Sequence, residues 1–209
     1  MEGNVMDAKE AINLIEKWLA EEGLQSKSLA DARAQKHLHV RYPPSRNGHL
    51  FNIVVPKGRN LVIIGSVTRV DAAQQDEMTS HAKADPVSWE GWLHDTRLSL
   101  IRGQFDWTIH VGKNETPSSG PLQAFNISRP IWFDGLNQHR FLDTLRRIWL
   151  SKLGIIHEIR FAYGQGSGTP GPVDDWAKSD QAPNGQSAAE VEFQEGLTFG
   201  SSFDVDEWA

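Results

Sequence analysis

His37 and His39 stand two residues apart in His37-Leu-His-Val-Arg-Tyr42. On a strand that spacing puts both imidazoles on one face, where they could chelate a single metal ion. A catalytic zinc needs a third protein ligand and an open position. His49 or a loop aspartate could supply the third ligand, but no spacing in the chain points to one. The pair therefore reads as the polar, solvent-facing side of a strand shared with Arg41, with a metal-dependent enzyme built on His37 and His39 as the alternative. Gly166-Ser-Gly-Thr-Pro-Gly171 has the form G-x-G-x-x-G. Phosphate binding by that pattern requires a strand before it and a helix N-terminus after it. Here Pro172 and acidic residues follow, so the segment reads as a linker. The chain has no G-x-S-x-G elbow, no Walker lysine and no cysteine. Those absences remove the hydrolase, P-loop and thiolate chemistries from consideration. No catalytic residue, cofactor or metal is assigned, and the protein is expected not to be an enzyme.

Aromatic residues carry more of the signal. Trp89 and Trp92 are three apart in one helical pattern, and Trp107, Trp132 and Trp149 are further large rings in the body. Most such rings fill cores, but aromatics are also enriched at interfaces. Trp89 and Trp92 are taken as partner-binding residues, with Trp132 a further candidate. On the last helix Arg146 and Arg147 lie off the Leu142/Leu145/Trp149 face, and both are assigned to docking of the C-terminal tail.

The elements that must position these residues follow from periodicity. Asp7 and Glu10 form a capping-box-like start to a helix carrying Ile12, Ile15 and Leu19, and Gly23 ends it. Strands are predicted at 37–42, 50–56 and 61–67, joined as a meander, with the third apolar on both faces. Residues 71–83 are polar and read as a loop or loose helical turn. Asp85-Pro86 is a strong helix start, and Gly103 is its stop. Phe105–Val111 alternates cleanly and is expected to pair with 122–128. A last helix begins near Asp134 and is expected to continue past Gly154. The fold class is α+β: an antiparallel five-stranded sheet in the order α-βββ-α-ββ-α.

That order resembles the type III secretion chaperone-like fold, and small archaeal and bacterial families thought to share it, over about residues 7–163. The pieces that carry the resemblance are the helix with Ile12, Ile15 and Leu19, the meander through Val54 and Ile63, and Phe105–Val111 leading to a long final helix. The resemblance implies a non-catalytic homodimer that binds an extended segment of a partner. It assigns no individual residue a role.

The 209 residues carry a net charge of −6, unevenly spread. Residues 164–209 hold nine carboxylates and one lysine, leaving the body at +2. A split follows: a globular domain over 1–163, and a Gly/Pro-rich linker with a disordered acidic-aromatic tail over 164–209. Acidic-aromatic alternation is a composition of interaction tails. Phe199, Phe203 and Trp208 are its expected anchors. The mild acidity of the whole chain argues against an obligate nucleic-acid binder, and an accessory role in a nucleoprotein or defence assembly, to which the body's +2 lends weak support, is a second alternative. Charges run through the first 25 residues, and the longest apolar run, 61–65, is too short to span a bilayer. A cytoplasmic, protein-binding module of chaperone or adaptor type is the expectation.

Overall fold

A computed structural model of the chain describes residues 6–45, 48–113 and 118–174. Helix α1 (Ala8–Glu21) starts as expected: the Asp7 carboxylate accepts from the Glu10 amide at 2.7 Å. It buries Ala11, Ile15, Trp18 and Leu19. It ends in a Schellman motif, with the Leu24 amide on the Leu19 carbonyl and the Gly23 amide on the Ala20 carbonyl. Gly23 sits at φ +65, the left-handed conformation that this cap requires.

Four strands follow: β1 (Ser26–Leu29), β2 (Ala34–Tyr42), β3 (His49–Pro56) and β4 (Leu61–Arg69). Successive pairs are antiparallel. Later come β5 (Asp106–Val111) and β6 (Leu122–Trp132), and the strand order is β1-β2-β3-β4-β6-β5. Among the described residues the sheet is therefore antiparallel with six strands, not five. The additional one, β1, is Ser26-Lys-Ser-Leu29, with three exposed residues and no apolar alternation. Backbone pairing with β2, from Ser26↔Val40 to Leu29↔His37, makes it a strand.

Among the described residues the α-helix count also differs, being four rather than three. The polar stretch read as a loop or loose helical turn is a full helix, α2 (Ala72–Ala84), capped by Asp71, whose side chain accepts from the Ala73 amide. Its buried face is Gln74, Gln75, Met78 and Ala82. Two glutamines in that face erase the apolar period. They are buried at low cost because their amides are satisfied: Gln75 Nε2 donates to the carbonyls of Val70, Gln123 and Pro172. Helix α3 (Pro86–Arg102) has its N-cap at Asp85 and Pro at the first turn. Helix α4 (Gln138–Tyr163) runs unbroken through Gly154, after a 3₁₀ turn at Phe133–Gly135.

Contacts divide the chain into two compact units, Met1–Ser66 with Ile127–Ser151, and Val67–Asn126 with Lys152–Ala209. In the first, Trp18 packs on Phe141 at 5.8 Å, and Tyr42 meets Phe51 and Trp149 edge-on. In the second, α3 packs against α2 and β5, with Met78, Trp89, Leu93, Leu100 and Phe125 buried.

Residues 164–174 are tied to the second unit. The Asp71 carboxylate accepts from the Ser167 amide and hydroxyl, the Ala72 amide donates to Thr169, and the Gly171 amide to Val70. The Arg69 guanidinium donates to the Gly171 carbonyl. The glycine pattern thus wraps an anion, but that anion is the chain's own Asp71. Gly166 is needed there: at φ +78, a Cβ would sit 2.7 Å from the Asp71 carboxyl carbon. Burial pushes the Asp71 carboxyl up, but the donors from Ser167, Ala73 and Gly168 outweigh it and hold it below its ordinary value. Its contribution is therefore present above the unfolded carboxylate value and lost as pH falls. Asp71→Ala is expected to cost about 1–2 kcal/mol, the scale of a lost N-cap, measured by urea denaturation at pH 7. A change within error would remove Asp71 as the anchor.

Candidate functional site

The histidine pair does not face solvent. His37 is 2% exposed and His39 6%. The expected solvent-facing reading is thus corrected, and β1 together with the chain after it is the reason. Lys27 and Leu29 of β1 pair with His39 and His37. Asp31 then brings a carboxylate oxygen to 3.4 Å from His37 Nδ1. On the other side His37 Nε2 lies 2.9 Å from Asn52 Oδ1, on β3. The two imidazoles meet edge to face at 5.5 Å. Burial, then the neighbouring His37, lowers the His39 pKa to about 4. Both ring nitrogens of His37 face protein partners, and His49 lies opposite Tyr42 in the β2–β3 register rather than beside the pair. Among the described residues no group of three His, Cys, Asp or Glu is placed to hold a metal ion. This arrangement is a buried polar cluster on β2, beside the edge strand β1.

Trp89 and Trp92 do come together. Their rings stack at 5.3 Å with 12° between planes. Trp89 is fully buried and its indole N–H donates to the Ser119 carbonyl at 2.9 Å. Trp92 is half-buried, so it alone of the two presents a surface. Tyr163, at the end of α4, stands edge-on to both. His81 of α2 completes the cluster: Nδ1 is 3.0 Å from the Tyr163 hydroxyl and Nε2 is 3.2 Å from Ser88 Oγ. Burial pushes the Tyr163 phenol up to about 12, so it stays neutral at physiological pH. The Glu158 carboxyl, also on α4, is shifted up by burial, then by the Asp95 carboxylate.

Ser88, His81 and Tyr163 have the outline of a nucleophile, a base and an orienting group. Acyl transfer also requires donors aimed at the developing oxyanion. The adjacent amides are directed elsewhere, Ser88 N–H to the Asp85 carboxylate and Trp89 N–H to the Asp85 carbonyl. The three side chains act as a hydrogen-bonded clasp that fixes the two indoles. Residues up to 82 positions apart build it, and no local pattern in the chain announces Tyr163 or His81 as partners of Trp89.

Arg146 and Arg147 are exposed on α4, where Arg147 pairs with Asp143 one turn back at 3.2 Å. Trp132 is 54% exposed at the end of β6. Phe199, Phe203 and Trp208 lie outside the described residues. Among the described residues no helix is long and apolar enough to cross a membrane.

Comparison with known proteins places the chain in a family. It belongs to the uncharacterised conserved proteins designated DUF2299, whose model matches residues 11–159. An uncharacterised protein from Methanothermobacter thermautotrophicus, known from its crystal structure, has the same fold. It is 24% identical, with a TM-score of 0.65, covering 74% of this chain and 99% of that one. YbjN from E. coli is matched at 10% identity and a TM-score of 0.38, over 74% of this chain and 94% of that one. No curated protein matches the chain. Neither the family nor these structures carry an enzymatic description.

Proposed function

We propose that this member of the DUF2299 family is a non-catalytic protein-binding module, chaperone- or adaptor-like, with the type III secretion chaperone-like fold. The observation that supports it most directly is the Trp92 ring, half-exposed and held rigid against buried Trp89 and Tyr163. A pre-ordered aromatic loses little freedom on binding, which is what makes such residues dominant contacts. In this reading Trp89 supports and Trp92 touches the partner, an extended protein segment. Within residues 164–209, the part beyond Asp174 is the interaction segment, anchored on partners by Phe199, Phe203 and Trp208. Arg146 and Arg147 offer positive charge to an acidic segment of this kind. The protein works as a cytoplasmic homodimer and needs no cofactor.

Trp92→Ala tests the reading. Cross-linked affinity capture from the source organism is compared for the wild-type and variant chains, after circular dichroism shows both folded. The proteins captured by the wild type are expected to fall about tenfold or more, the scale of losing a dominant aromatic contact. Equal yields from both chains would move the binding surface away from Trp92.

A further inference from the structure

Strand β5 closes one end of the sheet order. At its end the Gly112 amide donates to the Pro121 carbonyl, and the Gly112 carbonyl accepts from Gly120. Alternation along the strand then turns the backbone groups of Trp107, Ile109 and Val111 away from β6. Their side chains share one face and each is half-buried. An edge of this kind, with apolar side chains and backbone groups turned outward, is a template for a further strand.

The chain leaves the described residues beside this edge. Val173 is buried with Ala124, and Val67 packs on them. The Asp174 amide donates to Gln123 Oε1 at 3.0 Å, and its carboxylate accepts from the Lys113 amide at 3.2 Å. Lys113 directly follows Gly112, so the remaining chain sets out from the C-terminal end of β5. A segment running back from there is antiparallel to β5, the orientation that a short connection allows. Farther on stands Glu190-Val-Glu-Phe-Gln-Glu195, whose acid–apolar alternation has the period of a strand. The residues between Asp174 and Glu190 reach about 50 Å when extended, well beyond the roughly 20 Å that six strand residues occupy.

We propose that Glu190–Glu195 adds to β5 as a seventh, antiparallel strand of the same chain, leaving Phe199, Phe203 and Trp208 displayed beyond it. Val191 and Phe193 lie on the face of Trp107, Ile109 and Val111, and Glu190 and Glu192 on the other. The occupant is the chain's own segment because the tether at Asp174 holds it at an effective concentration of order millimolar, above that of a second copy. The inference does not depend on what Trp92 binds.

Amide hydrogen exchange in the full chain is the test, read residue by residue by NMR at two protein concentrations. The wild type is compared with the double variant Val191→Pro, Phe193→Pro, because proline cannot donate to a ladder. Trp107, Ile109 and Val111 are expected to be protected in the wild type and to exchange at least about tenfold faster in the variant, as an unpaired strand would. Both rates should be independent of concentration, and β2 and β3 amides should be unchanged. Fast exchange in both chains, or equal protection in both, would overturn the proposal. So would protection that grows with concentration, which would give the edge to a second copy.

Discussion

Trp89→Ala is expected to cost about 3–5 kcal/mol of folding stability, the range for emptying a buried aromatic site. The ring is 0% exposed, so its removal opens a cavity that the neighbours can fill only by moving. Those neighbours are themselves interlocked: Trp92 stacks on it, and His81 and Tyr163 meet it edge-on while bonded to each other. The substitution also strips the Ser119 carbonyl of its indole donor. Trp89→Phe separates the two contributions, because it keeps much of the volume and loses only the donor. It should fall nearer 1–3 kcal/mol, the cost of an unsatisfied buried polar group. Trp92→Ala, at a half-buried position, should cost less than Trp89→Ala. Urea midpoints measured at constant slope decide the order. If Trp89→Ala proved as mild as Trp92→Ala, Trp89 would not be the fixed support that the proposed function requires.

Acidification from pH 7 to pH 4 is expected to remove a further share of stability, and His39 is the main reason. Its folded pKa is about 4, lowered from an ordinary 6.5 by burial and by His37. The unfolded chain therefore binds a proton at this position over a range where the folded chain does not. Stability rises with pH across that range and is lost as pH falls from about 6.5 toward 4. Such a gap corresponds to roughly 3 kcal/mol. His39→Gln keeps a polar side chain but cannot titrate, so its stability should be much flatter over the same interval, even if lower at pH 7. Chemical denaturation at half-unit pH steps gives both curves. Parallel curves would mean that the acid sensitivity originates at other groups.

Legibility from sequence followed the range of the interaction. The Asp7 cap, the Asp85-Pro86 start and the alternation of Phe105–Val111 depend on residues a few positions apart, and each formed as expected. Ser26–Leu29 had no such pattern, because an exposed edge strand owes its form to the backbone of β2 rather than to its own side chains. Helix α2 was hidden by its buried glutamines, whose burial depends on carbonyls supplied from Gln123 and Pro172. The same limit governed the sites. Strand period put His37 and His39 on one face correctly, yet the groups set against them, Asp31, Asn52 and β1, come from elsewhere in the chain. Helical spacing put Trp89 and Trp92 on one side, but which of them reaches the surface depends on Ser119 and Tyr163, far along the chain.

Gln75 carries a consequence in the chemistry of ageing proteins. One amide nitrogen faces three carbonyl oxygens, of Val70, Gln123 and Pro172, at 3.1, 3.4 and 3.2 Å. Hydrolysis of that amide would change a single heavy atom and leave the shape intact. It would also turn the donor into a carboxylate pressed against three acceptors, which no rotation of the side chain relieves. The burial that would make the lesion harmful, with Gln75 only 4% exposed, also denies water access to the amide. The position most damaged by deamidation is thus among those best shielded from it, for as long as the segment carrying Pro172 stays in place.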